Sequence, residues 1–171
     1  MKLTEKDFII GVTGHRVLPG DNIPEIKRSV NEFYREIKTA NRERSITVLS
    51  PLAEGADILC ARIALDHGMR LVAPLPMPVQ EYLKGFFDSG DFYRLSSTAD
   101  EVFVVEPEES VPAHPETGFY YRQAGLYVAK SCDILLAVWD GIERSSPDGA
   151  GTWETIRSAR QYGKKIHQIL I

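Results

Sequence analysis

The stretch Phe8-Ile9-Ile10-Gly11-Val12-Thr13-Gly14-His15-Arg16 passes from a short apolar run into a glycine-bearing polar turn. A run this short, with β-branched residues and a turn signal behind it, reads as a buried strand that ends at Thr13-Gly14. Downstream the apolar residues fall at Ile26, Val30, Phe33 and Ile37, a spacing that places all four on one helix face. Strand, glycine turn and helix together form the first unit of an α/β fold.

The same alternation continues along the chain. Ile46-Thr47-Val48-Leu49 reads as a second strand, closed by Ser50-Pro51, and Ala56–His67 as a helix apolar on most sides that Gly68 ends. Arg70–Ala73 is a third strand stopped by Pro74, Pro76 and Pro78, and two short helices follow at Val79–Phe87 and Asp91–Thr98. Glu101–Val105 is a fourth strand, and a loop rich in Pro and Glu runs from Glu106 to Thr117. A helix from Gly118 to Lys130, a fifth strand Asp133–Val138, a helix Thr152–Tyr162 capped by Gly163 and a short final strand Lys165–Leu170 complete the pattern. Strands that alternate with helices imply right-handed βαβ units. The expectation is a Rossmann-like three-layer α/β/α fold with a mostly parallel sheet of about five to six strands, in a single domain over residues 1–171.

Composition narrows the function classes. The chain has 171 residues, 43% apolar and 26% charged, which is ordinary globular composition. A net charge of −4 with no dense basic run argues against nucleic acid as a partner. No run approaches the roughly 18 apolar residues of a membrane span. Met1-Lys2-Leu3-Thr4-Glu5-Lys6-Asp7 lacks the apolar segment of a signal peptide, so a cytoplasmic location is expected. Cys60 and Cys132 sit in separate apolar runs and read as buried hydrophobes, and the four histidines are scattered, so neither a disulfide nor a metal site is expected and no cofactor is implied.

In an open parallel sheet the ligand sits outside the C-terminal strand ends, near the switch in strand order, which makes four loops candidates. In the first, Gly11 and Gly14 allow a close backbone approach, Thr13 lies between them, and His15 and Arg16 supply donors for an anion. It is not the dinucleotide fingerprint, because Gly-x-Gly-x-x-Gly is missing and strand two ends in Ser50-Pro51 where an acidic ribose-binding residue would stand. In the second, Ser50, Glu54, Gly55 and Asp57 surround a helix N-terminus that attracts anions; Glu54 suits a ribose hydroxyl or a catalytic role, and Asp57 serves either a ligand or the helix dipole. The third is the long loop Glu106–Thr117, of lid-like length, with Arg122 one turn into the next helix. The fourth begins at Trp139-Asp140 and ends in Gly149, Gly151 and Thr152 at the start of a helix, where free N–H groups and a hydroxyl make a phosphate cradle.

Ser50-Pro51-Leu52-Ala53-Glu54-Gly55-Ala56-Asp57, its apolar helix and Gly68-Met69-Arg70-Leu71-Val72-Ala73 resemble the Rossmann domain of DNA-processing protein A, and Gly11–Arg16 is similar to that family's first turn. Pro147-Asp148-Gly149-Ala150-Gly151-Thr152-Trp153-Glu154 resembles the Pro-Gly-Gly-x-Gly-Thr-x-x-Glu motif of the Lonely Guy nucleoside monophosphate phosphoribohydrolases. Both belong to the SLOG superfamily, which includes sensors of nucleotide-derived ligands. Asp148 stands where the motif has its first Gly, Thr155 where it has its catalytic Glu, and Arg122-Gln123 is the nearest match to the hydrolases' Arg-Lys pair.

Three functions follow. The first is a sensor or carrier that binds a nucleotide or nucleotide-derived small molecule. The second is an N-glycosidase in which Glu154 or Glu54 stabilises the oxocarbenium ion or activates water while Arg122 orients the ligand. The third is a single-stranded DNA binder by analogy with the DNA-processing family. Against the third, Lys27, Arg28, Arg35 and Lys38 are interleaved with Glu25, Glu32 and Glu36, which makes a mixed solvated face. The resemblance also implies a homo-oligomer.

Overall fold

A computed structural model describes residues 7–171, so the reading of Met1–Lys6 lies outside the described residues. The strands are β1 (Asp7–Gly14), β2 (Ser45–Leu49), β3 (Arg70–Leu75), β4 (Glu101–Val104), β5 (Ile134–Trp139) and β6 (Lys165–Leu170). The helices are α1 (Ile23–Ala40), α2 (Ala56–Asp66), α3 (Val79–Tyr82), α4 (Gly90–Thr98), α5 (Thr117–Ser131) and α6 (Thr152–Gln161). The strands form one sheet in the order β4-β3-β2-β1-β5-β6, and every neighbouring pair is parallel. This is the expected Rossmann-like fold.

The near-continuous apolar strands are explained by burial on both faces. Successive side chains point to opposite faces. Ile10, Val12, Val48, Leu71, Ala73, Leu136 and Val138 pack with α1, α2 and α4. Their sequence neighbours Ile9, Leu49, Val72, Leu135, Ala137 and Trp139 pack with α5 and α6. No helix among the described residues is long and apolar enough to cross a membrane.

Element ends differ from the sequence reading for local reasons. β3 continues through Pro74 to Leu75. Val72 accepts from Ser50 in the loop after β2, so Pro74, two residues on, turns its missing N–H to the side where β2 has already ended at Leu49. α1 starts at Ile23 because Pro24 is tolerated in a first helical turn. The segment 79–87 is helical only over Val79–Tyr82 and tightens into a 3₁₀ turn at Leu83–Gly85. β4 closes one edge of the sheet, with Val102 and Val104 exposed.

Two aspartates pin the other ends of the strands. Asp133 and Ile9 exchange bonds: the Ile9 N–H donates to Asp133 Oδ2 at 2.8 Å and the Asp133 N–H to the Ile9 carbonyl at 2.8 Å. Asp100 does the same with Leu71, at 2.9 and 2.8 Å. Each carboxylate extends a parallel ladder by one rung before the strand begins. Asp133→Ala leaves the Ile9 N–H without that acceptor and is expected to cost about 1 kcal/mol. Urea denaturation checks it, and an unchanged midpoint would show that the rung adds nothing.

Candidate functional site

From β1 the chain adds β2 on one side and β5 on the other, so the strand order reverses between β1 and β5. A crevice opens at that point beyond the C-terminal strand ends. It holds a cavity of about 460 Å³, within the range of small-ligand sites. Val12, Thr13 and Gly14 of β1 and Trp139 of β5 form its floor. Tyr121, Ala124 and Gly125 of α5 and Gly151, Thr152, Trp153 and Thr155 at the start of α6 form one wall; Pro51, Ala53, Asp57 and Tyr82 form the other.

The N-termini of α2 and α6 both contribute to this cavity, and they differ in what their first donors meet. At α2 the Ala56 N–H donates to the His15 carbonyl at 3.0 Å, and the Ile58 N–H donates to the Ala53 carbonyl at 3.2 Å. Gly55 holds φ at +86°, and a Cβ there would collide with the His15 and Arg16 carbonyls. A Cβ on Gly14 would likewise strike Ala56 and the Val138 carbonyl. These glycines seal the β1 turn onto α2. At α6 no side chain caps the first turn, Gly151 holds φ at +115°, and nothing lies within 4 Å of where its Cβ would be. Gly151 and Thr152 therefore present free donors to the cavity.

Several of the expected ligand residues have structural duties instead. A Cβ on Gly11 would lie 2.8 Å from Val128 Cγ1, so its bare backbone lets α5 pack on β1, away from the cavity. Ser50 Oγ donates to the Asp57 carbonyl at 3.1 Å and accepts from the Leu52 N–H at 3.2 Å, which braces the β2–α2 loop. Gly149 packs against the Arg122 stem. Asp140 accepts from the Ile142 N–H at 3.0 Å and Arg144 at 2.7 Å, and its carboxyl is held well below the usual range by Arg144 first and that N–H second. His15 Nε2 lies 3.2 Å from both the Asp140 N–H and Asp140 Oδ1, so it accepts from the first or, when it carries a proton, donates to the second.

The three expected catalytic side chains are not brought together in the cavity. Glu54 Oε1 accepts from the Phe87 and Asp88 N–H groups at 2.9 and 3.0 Å, and its Oε2 lies 3.5 Å from Arg16. Glu54 thus fixes the segment after α3, while Arg16 lines the cavity and donates to the Gly85 carbonyl at 3.1 Å. Glu154 is buried in a small cleft behind the cavity wall and ion-paired with Arg157. Arg122 shares that cleft and binds Glu109 at 2.7 Å. The residue of this helix turn that does line the cavity is Thr155, whose hydroxyl donates to the Gly151 carbonyl at 3.2 Å.

Two acids line the cavity, Asp148 beside the start of α6 and Asp57 on the opposite wall, and only Asp57 is buried. It is 7% exposed, and burial raises its carboxyl to about 7 against the lowering effects of the Ala53 N–H and Arg16. Sequence reasoning missed Tyr82, Tyr121, Trp153 and Arg144, which also line the cavity. Tyr121 stood in view beside Arg122, and Trp153 lies inside the glycine motif. Tyr82 follows the third strand, and the rule that every C-terminal strand end feeds the site was the available signal.

The sheet order and the crevice at the β1–β5 switch define a Rossmann-like α/β fold. Solved structures with this fold include DNA-processing protein A from Streptococcus pneumoniae, at a TM-score of 0.63 and 17% identity over 95% of this chain and 50% of that one. DNA-processing protein A from Helicobacter pylori, described for its single-stranded DNA binding mode, matches at 0.61 and 16% identity over 94% of this chain and 64% of that one. The structural-genomics target TM1055 matches at 0.53 and 15% identity, over 93% and 72%. This chain therefore spans about half to two thirds of the DNA-processing proteins, and the likeness is one of fold. No protein-family profile and no curated protein matches it.

Two predictions follow from the site. Gly11→Ala is expected to destabilise the protein by about 1–3 kcal/mol through overpacking against α5, without changing ligand affinity; a loss of affinity at unchanged stability would return Gly11 to the site. For Asp57 the folded-state value, about 7, lies above the ordinary 3.8. The folded protein then holds this proton between those values, so the stability it contributes is full below about pH 4 and is lost as pH rises toward 7. Asp57→Asn removes that dependence. Relative to the parent it should gain stability between pH 4 and pH 8, by on the order of 4 kcal/mol at most. Urea melts at the two pH values measure it, and an identical difference at both would refute a buried neutral acid.

Proposed function

We propose that this chain binds a nucleotide or nucleotide-derived phosphate ligand in the cavity between β1 and β5, as a sensor or carrier. The carrying observation is the uncapped N-terminus of α6, which opens at Gly151 and Thr152 into a cavity of ligand size. Backbone donors and the helix dipole suit a phosphate there. The Asp148 carboxylate takes the Ala150 N–H at 3.1 Å, so the cradle is left to the donors from Gly151 onward. Trp153, stacked on Trp139 with ring centroids 6.0 Å apart, and Tyr121 supply aromatic cover for a base. The burial of Glu154 outside the cavity, paired with Arg157, favours binding over hydrolysis.

A thermal-shift screen of nucleoside mono-, di- and triphosphates tests this reading, with chromatography of each mixture for free base. A ligand at 100 times its dissociation constant should stabilise the protein by about 2.7 kcal/mol. Gly151→Ala, which forces a side chain into a left-handed backbone, and Thr152→Val should each weaken the phosphate ligand about tenfold, roughly 1.4 kcal/mol. Release of free base that Glu154→Gln abolishes would replace the sensor by the N-glycosidase. Failure of every nucleotide to shift the melt would sink the proposal.

A second reading is favoured by the fold shared with the Helicobacter pylori protein described for binding single-stranded DNA. Fluorescence anisotropy with a labelled oligothymidylate decides it: salt-sensitive binding supports DNA, and its absence at low salt leaves the small ligand.

A further inference from the structure

Opposite the α6 cradle the cavity carries a second polar end, made by two side chains from different elements. Asp57 comes from the first turn of α2 and Tyr82 from the last residue of α3. Asp57 Oδ2 accepts the Ala53 N–H at 3.3 Å, and its Oδ1 takes no hydrogen bond among the described residues. Tyr82 is 1% exposed, and its hydroxyl has no hydrogen-bond partner among the described residues. Both residues line the cavity. A buried hydroxyl without a partner costs about 1–3 kcal/mol, so a fold that keeps one on a cavity wall keeps it for something that enters the cavity.

The surroundings say what that group is. The Tyr82 ring packs at 5.0, 5.9 and 6.0 Å from the rings of Phe86, Tyr121 and Phe92, which fixes the ring in place while its hydroxyl keeps no hydrogen-bond partner among the described residues. Arg16, the nearest cation, is committed to Gly85 and Glu54. A carboxylate oxygen that accepts and a phenol that donates or accepts match two adjacent hydroxyls, each of which also donates and accepts. In Rossmann sheets an acid at the end of the second strand holds the ribose hydroxyls. Here that strand ends in Ser50-Pro51, and the acid reaches the crevice from α2 instead.

We propose that Asp57 and Tyr82 form a subsite for the vicinal diol of a ribose, so that the cavity selects ribonucleotides over 2′-deoxyribonucleotides. The inference rests on the nucleotide reading above and adds the class of sugar. The phosphate end lies at α6, the diol end at α2 and α3, and the floor of β1 runs between them.

The test is calorimetric titration of the full chain with the 5′-monophosphates of adenosine, guanosine, cytidine and uridine, each paired with its 2′-deoxy form (thymidine monophosphate for uridine). The bound ribonucleotide should exceed its 2′-deoxy partner about tenfold, the worth of one buried hydrogen bond. Tyr82→Phe keeps the ring packing, removes an unpaired buried hydroxyl and so folds; it should weaken the ribonucleotide about tenfold and leave the deoxynucleotide within about twofold. Asp57→Asn, which keeps the side-chain shape, should shrink the same ratio. Equal binding of both sugars, or a ratio that Tyr82→Phe leaves intact, overturns the diol subsite while the nucleotide reading stands. A preference among bases with no preference between sugars overturns it too and assigns Asp57 to a base edge. If no monophosphate of either sugar binds, the nucleotide reading falls and this inference with it.

Discussion

The site depends on one backbone hydrogen bond, from the Ala56 N–H to the His15 carbonyl at 3.0 Å. It joins the turn after β1 to the N-terminus of α2, and it needs both Gly14 and Gly55, since a Cβ on either would meet backbone or Ala56. With that contact made, α2 spends its first donor on protein and no longer offers it to an anion. The same contact holds the β2–α2 loop over β1 and sets Asp57 at the cavity wall. It also leaves α6 as the helix whose N-terminus stays open at the crevice. The difference between the two helix N-termini thus begins with two glycines that let the first turn close onto α2.

The fold was legible because burial on both faces writes itself plainly into the sequence. Ile9-Ile10, Val48-Leu49 and Leu135-Leu136 each put one residue into either core, so the apolar runs are short and unbroken. The site was legible in its position and only partly in its residues. Glycine marks both a close approach to a ligand and a close approach of helix to strand, and sequence carries no sign of which. Gly11 and Gly14 look alike in the chain, yet the first admits α5 and the second admits α2. Glu54 and Asp57 stand three residues apart on one loop, and only the folded turn shows that Glu54 faces Phe87 and Asp88 while Asp57 faces the cavity.

The loop that carries Asp57 is under strain. Leu52, a fully buried leucine, holds φ at +59°, a region that L side chains rarely occupy and that costs about 1–3 kcal/mol. The Ser50 hydroxyl bridges the Leu52 N–H and the Asp57 carbonyl and so fixes the strained turn to the helix it feeds. Strain and a buried acid on the same few residues are two separate costs to stability. The Leu52 side chain is buried in the core, and the turn it makes leads into the helix that sets the Asp57 carboxylate on the cavity wall. That combination fits a group positioned for a ligand better than a helix-dipole partner, which would be as effective at the surface.

On the proposed reading, a single-residue offset on α6 is what would separate binding from hydrolysis. One step along a helix rotates a side chain by about 100°, so residue 155 reaches the cavity while residue 154 faces only the cleft behind it. In this chain the outward turn of Glu154 brings it into the cleft with Arg122 and against Arg157, where its charge is neutralised by an ion pair on its own helix. The cavity-facing position falls to Thr155, whose hydroxyl is returned to the Gly151 carbonyl and whose pKa range lies far from that of a proton-transfer group at neutral pH. A carboxylate at that place would join Asp148 beside the α6 donors and would repel an anion there unless a cation balanced it. Arg122, bound to Glu109, is not available for that balance. Threonine there adds no further negative charge beside the free N–H groups of α6, the condition under which an anion could rest against them.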